Sequence, residues 1–167
     1  MEKLQKKKCV FAGTFDPPTL GHQAMIADCL KLFDEVVVAV LINPNKAPYF
    51  SVDERMHMLQ LMFQGEKGLT VKSFQGTAAE LLAQENTKIY VRGIRNGVDL
   101  DYENANLYAS KKLDKDLIPI YLPCPQELLH VSSSMVRNSL QFHTPIDEYV
   151  TKEVKSYIEK IENERNS

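Results

Sequence analysis

Four short segments of this 167-residue sequence carry side chains suited to holding oxyanions. The first, AGTFDPPTLGH at 12–22, offers the hydroxyl and N–H of Thr14, a loop stiffened by Pro17 and Pro18, and His22. Gly13 is expected to turn the chain sharply and to let a ligand approach the backbone. A histidine in the first turn of a helix, among N–H groups that lack intrahelical partners, can donate to a phosphate oxygen. The second segment, NPNKAPYF at 43–50, sets Lys46 alone among small, turn-forming residues. The third, VRGIRN at 91–96, carries Arg92 and Arg95 about Gly93 and Ile94, with Glu103 on the helix that follows. A guanidinium grips an oxyanion with two parallel N–H donors. In the fourth, HVSSSMVR at 130–137, three serines stand at a helix start, with Arg137 one turn on.

Each cluster alone also fits a plain structural role. His22 can be a capping residue, Lys46 a surface lysine, the arginines a solvated pair and the serines a redundant N-cap. The pattern is neither G-x-G-x-x-G nor G-x-x-x-x-G-K-[ST], so neither fingerprint applies. No spacing singles out paired carboxylates, Ser-His-Asp or Cys-His chemistry. Asp16 and Asp99 could approach a metal, but no ligand set is present, and Mg2+ held mainly by a substrate's own phosphates suits the chain better.

What unites the clusters is the frame that must carry them. KCVFA (8–12), EVVVAVLI (35–42), LTVKSF (69–74), KIYVRG (88–93) and IPIYLP (118–123) read as buried strands. Helices are expected between them, with Thr19 a candidate N-cap. Capping boxes at Ser51–Glu54 and Thr77–Glu80 open two of these helices, the first with Met58, Leu59 and Met62 on its apolar side. Residues 99–112 and 132–140 read as further helices. Thr144-Pro145 reads as the cap and first position of a C-terminal helix whose charged end, EKIENERNS, is expected to fray. Five βα units in succession predict a single α/β domain over residues 1–167, a doubly wound five-stranded parallel sheet with C-terminal helices. Such sheets bind ligands beyond the carboxyl ends of their strands. The loops that follow the strands are the ones holding the four clusters, so together they predict a polyphosphate site.

Composition narrows the class. Hydrophobic residues make up 44%, charged residues 25%, and the net charge is −2, so no general basic field exists to hold nucleic acid. Cys9, Cys29 and Cys124 are widely spaced and odd in number, against a disulfide framework or zinc site. No apolar run approaches the ~20 residues of a membrane span. The basic start MEKLQKKK reads as a frayed end and not a signal peptide, which makes the cytoplasm the expected location.

GTFDPPTLGH resembles the T/H-x-G-H signature of the nucleotidylyltransferase superfamily, and VSSSMVR resembles its C-terminal I-S-S-S/T signature. Their order and separation, the VRGIR segment and the lone Lys46 are most similar to the bacterial phosphopantetheine adenylyltransferase family, over roughly residues 8–160. Pro18, Leu20 and the non-aromatic Leu128-Leu129-His130 depart from the family's usual pattern.

The resemblance implies a Rossmann-like nucleotidyltransferase fold and a reaction. The phosphate of 4′-phosphopantetheine attacks the α-phosphorus of ATP directly in line, giving 3′-dephospho-CoA and pyrophosphate, the penultimate step of coenzyme A synthesis. It implies His22, Lys46 and Arg95 as catalytic groups. It places Thr14, Phe15, His22, Gly93, Ile94, Arg95, Glu103 and Leu128, Leu129, His130, Val131, Ser132, Ser133 and Ser134 at ATP, and Thr14, Lys46, Ala78 and Arg92 at the acceptor. It implies no protein-ligated metal, Mg2+ carried by ATP, coenzyme A as a feedback ligand, and a homohexamer. The nearest alternatives are a superfamily member acting on nicotinate mononucleotide or a polyol phosphate, and a non-catalytic nucleotide-binding module.

Overall fold

A computed structural model describes residues 7–167; most of the basic N-terminal stretch therefore lies outside the described residues. Strands β1 (Lys8–Gly13), β2 (Glu35–Leu41), β3 (Leu69–Phe74), β4 (Ile89–Ile94) and β5 (Ile118–Pro123) alternate with helices α1 (Leu20–Leu32), α2 (Val52–Met62), α3 (Ala78–Gln84) and α4 (Gly97–Leu113). After β5 come a short 3-10 turn at Gln126–Leu128, then α5 (Ser133–Gln141) and α6 (Lys152–Arg165). The sheet runs β3-β2-β1-β4-β5, every pairing parallel. Strand order therefore reverses at β1, whose two neighbours are β2 and β4. This is the crevice where doubly wound sheets take ligands.

Strand periodicity splits the core in two. Cys9 and Phe11 of β1 join Val36, Val38 and Val40 of β2 in one cluster with Ile26, Met58, Leu59, Val136 and Ile158, so α1, α2, α5 and α6 cover that face. Val10, Ala12, Val37 and Ala39 point the other way, against Leu81 and Leu82 of α3, with Leu107 of α4 at the margin. The three cysteines are buried and free.

Both capping boxes form as expected. Ser51 Oγ accepts from the Glu54 N–H while Glu54 accepts from Ser51, and Thr77 and Glu80 do the same. The C-terminal region differs from expectation in two ways. Thr144 and Pro145 do not open a helix: the Thr144 N–H returns to the Ser139 carbonyl, and the following turn sinks Ile146 and Val150 into the core. The last helix is instead capped by Thr151, whose side chain accepts from the Val154 N–H. Its charged end does not fray either. Ile161 is buried, and Arg165 pairs with Glu54 and Glu162.

Candidate active site

A cleft of about 1480 Å3 opens at the carboxyl ends of the strands and reaches from the β1–α1 loop across β4 and β5. Thr14, Lys46, Ala78, Arg92, Arg95, Glu103, Ser133 and Ser134 all line it. Four loops far apart in sequence thus deliver their expected residues to one space.

The β1–α1 loop turns at Phe15 rather than at Gly13. Phe15 takes φ 52°, and its ring is buried beside Phe11 and edge-on to His22 at 4.9 Å. A Cβ on Gly13 would stand 3.1 Å from that ring, so the glycine makes room for Phe15 and not for a ligand. Burying the aromatic ring holds a left-handed conformation that non-glycine residues otherwise avoid. Phe15 is thereby closed off from the cleft lining.

His22 is the third residue of α1, the position a capping-box Glu or Gln ordinarily fills. Its Nδ1 accepts the Thr19 N–H at 3.0 Å and lies 3.1 Å from Thr19 Oγ1. An Nδ1 that accepts must be unprotonated in the neutral ring, so the ring's hydrogen sits on Nε2. Burial, reinforced by the Arg95 and Arg92 guanidiniums, lowers its pKa from the ordinary 6.5 to about 4. His22 is therefore a neutral donor, held on a helix N-terminus within the field of two cations.

Arg92 and Glu103 form a bidentate pair, with Nε to Oε2 at 2.9 Å and Nη2 to Oε1 at 2.6 Å. Arg92 Nη1 also donates to the Ala12 carbonyl at 2.6 Å. Burial pulls the Arg92 pKa down, but the Glu103 carboxylate outweighs it and holds it above the ordinary value. Glu103, which lines the same cleft, meets Arg92 and orients it. Arg95 folds back on α4, its N–H and Nε both on Asp99 Oδ2 at 3.0 and 3.2 Å.

Lys46 sits on an exposed loop, and among the described residues no hydrogen bond or ion pair holds its ammonium. Nearby, both oxygens of the buried Asp16 carboxylate accept backbone N–H groups, from Tyr49 and Phe50 at 2.8 Å each. Arg55 of α2 donates to the carbonyls of Thr14 and Phe50 at 2.8 and 3.1 Å. Arg137 of α5 donates to the Asp16 carbonyl at 2.7 Å. The three serines have separate roles: Ser132 caps α5, Ser133 Oγ donates to the Pro17 carbonyl, and Ser134 Oγ accepts from Arg137.

Other expected residues, Phe15, His22 and Ser132 among them, lie off the cleft lining. A Cβ on Gly93 would collide with Met25 Sδ, so that glycine admits α1 against β4. Ile94 ends β4. Val131 is buried, Leu128 packs on the core and Leu129 is exposed, while the His130 ring stands 6.3 Å from Tyr149. This stretch borders the start of α1, where a Cβ on Gly21 would come within 4.0 Å of the Val131 carbonyl.

Sequence reading missed Arg55, Tyr90, Tyr102, Asn106 and Tyr121, all of which line the cleft. Arg55 had a signal: it falls three, four and seven residues before Met58, Leu59 and Met62, a charge on an apolar stripe. Tyr90 and Arg92 alternate with the buried Val91, placing both on one face of β4. Tyr102 and Asn106 on α4 carried no such signal.

The carboxylates nearest the cleft do not offer a metal site. Asp16 is taken by two N–H groups, Glu103 by Arg92 and Asp99 by Arg95, and the described residues contain no metal-ligating cluster.

Doubly wound topology with cations gathered at the switch point marks an α/β protein of the nucleotide-handling class. A cytidylyltransferase-like family model matches residues 10–139. Named phosphopantetheine adenylyltransferases are similar over most of their length. That of Parasynechococcus marenigrum is 34% identical, covering 93% of this chain and 96% of the relative. Those of Chromobacterium violaceum and Streptococcus agalactiae are 42% and 38% identical, covering 78% and 95% of this chain and 80% and 99% of theirs. Among solved structures, a candidate nicotinate-nucleotide adenylyltransferase of Vibrio parahaemolyticus superposes with a TM-score of 0.70, at 20% identity and 97% coverage of both chains, which supports the fold alone. The chain belongs to the cytidylyltransferase-like family and, within it, to the phosphopantetheine adenylyltransferases.

Proposed function

We propose that this protein is a nucleotidyltransferase that moves the adenylyl group of ATP to 4′-phosphopantetheine, giving 3′-dephospho-CoA and pyrophosphate. The observation that carries the reading is convergence: Lys46, Arg92 and Arg95, from separate loops, share one cleft, and the neutral, Nε2-protonated His22, though off the cleft lining, lies close enough to Arg95 and Arg92 to feel their charge. The acceptor's phosphate is already an anion, so the reaction needs charge stabilisation and alignment and no general base. Its oxygen forms a bond to the α-phosphorus in line as the bond to the pyrophosphate oxygen breaks.

The reading gives each residue a role. His22 Nε2–H donates to a non-bridging α-phosphate oxygen. Lys46 bridges the acceptor phosphate and the reacting centre, and Arg92, aimed by Glu103, binds the acceptor phosphate. Arg95, with Thr14, Ser133 and Ser134, holds the leaving phosphates. Tyr90, Tyr102, Leu107 and Tyr121 line the part of the cleft left for the pantetheine arm, beside Ala78. The Leu128–Ser132 stretch, against the start of α1, is the adenine side. No activated nucleophile intervenes: burial raises the pKa of Cys124, keeping its thiol protonated. Mg2+ arrives with ATP. No helix among the described residues is long and apolar enough to cross a membrane. A cytoplasmic homohexamer that also binds coenzyme A belongs to the same reading, the assembly being checked by sedimentation.

Pyrophosphate release decides the substrate. Purified protein with Mg-ATP is offered phosphopantetheine or nicotinate mononucleotide, and with CTP, glycerol 3-phosphate. Turnover chiefly with phosphopantetheine is expected; preference for another acceptor overturns the reading, and none at all despite ATP binding indicates a binding module.

A further inference from the structure

We infer that Asp16 is a positioning residue for Lys46, joining the turn that leads to His22 to the loop that presents the lysine. The inference rests on the reading above, in which Lys46 meets the reacting phosphates. A cation on an exposed loop stabilises a transition state only where its backbone is held in place. Nothing among the described residues holds the Lys46 side chain, so the loop itself must carry that precision.

Asp16 supplies it. Its carboxylate receives the consecutive N–H groups of Tyr49 and Phe50, fixing the outgoing stem of the 43–50 loop. Its backbone carbonyl receives Arg137, and the next carbonyl, of Pro17, receives Ser133. From the other side, Arg55 spans Thr14 to Phe50 and Ser51. The β1–α1 turn, the Lys46 loop and α5 are thereby joined around one residue. Burying a carboxylate for two backbone contacts is costly unless both oxygens are satisfied, and here they are. An Asn at this place would keep one acceptor and turn an N–H2 against the other N–H.

A double-mutant cycle tests this, read on phosphopantetheine turnover. Asp16→Asn alone is expected to lower kcat/KM for the acceptor about tenfold or more while KM for ATP stays within about twofold. In a Lys46→Ala background the same change is expected to cost less than about twofold. A general structural lesion would instead multiply through in both backgrounds. Should Asp16→Asn lose its fold by circular dichroism, Pro48→Gly, which loosens the same stem from the exposed side, takes its place in the cycle. Additive losses in the measured cycle, with the unsubstituted protein active, overturn the inference alone. Absence of phosphopantetheine turnover by the unsubstituted protein overturns the functional reading beneath it.

Discussion

The backbone N–H of Thr19 donates to Nδ1 of His22 at 3.0 Å, so one hydrogen bond both caps α1 and selects the tautomer that carries its hydrogen on Nε2. The cap and the proposed catalytic donor are two ends of the same ring. Protonation at Nδ1 would set it against the Thr19 N–H and break the cap.

The His22 ring is therefore expected to stay neutral across the physiological range. In an NMR titration of the free protein its midpoint lies near 4, and Mg-ATP moves it upward because phosphate charge favours imidazolium. A free-protein midpoint near 6.5 would contradict the arrangement.

Stability carries the same signature. The folded-state pKa of about 4 lies below the ordinary 6.5, so between these values the unfolded chain binds a proton that the folded chain refuses. Folding stability is expected to fall as pH drops through that window. Denaturant midpoints of a His22→Gln variant, whose side chain still fits a capping box, should lack this part of the slope.

Substitution separates the ring's two functions. His22→Ala loses both cap and donor, with kcat falling about 10²–10³-fold and stability by about 0.5–2 kcal/mol. His22→Gln keeps the cap, so its melting temperature stays close to the parent while kcat still falls. Normal kcat in either variant would remove His22 from the reaction.

Glu103→Gln tests the aiming of Arg92. With the side chains of Arg92 and Glu103 only 20% and 11% exposed, losing one charge is expected to cost about 1–3 kcal/mol, between exposed and fully buried pairs. KM for the acceptor should rise more than KM for ATP. An unchanged acceptor KM would leave Glu103 a structural residue only.

The C-terminal turn grips the Lys46 loop from outside. Arg165 donates to the Tyr49 carbonyl at 3.1 Å and lies over the Tyr49 and Phe50 rings, while Tyr49 Oη donates to Glu162. Truncation after Ile161 is expected to raise acceptor KM severalfold while CD shows the sheet intact. Unaltered kinetics would show that Asp16 alone suffices.

Much of the frame was legible because its signals are local. The Ser51–Glu54 and Thr77–Glu80 boxes need only three-residue spacing, and a continuous run such as EVVVAVLI reports burial on both faces. The same locality misled at Thr144-Pro145. A capping dipeptide says nothing of whether Ile146 and Val150 must turn inward to fill the core. The charged tail misled for a related reason, since its order comes from Glu54 and Tyr49, more than a hundred residues away.

By itself, the sequence determined the order of strands and helices, the loops that carry cations, and the helix start that carries His22. Those follow from hydrophobic period and turn chemistry, which act between near neighbours. Tertiary structure alone decided what those residues touch. Glu103 faces Arg92, Asp16 holds Tyr49 and Phe50, Gly13 yields to Phe15, and burial, with two guanidiniums, depresses the His22 pKa. Each depends on the β3-β2-β1-β4-β5 order, which sets β1 against β4 and brings loops eighty residues apart within hydrogen-bonding reach.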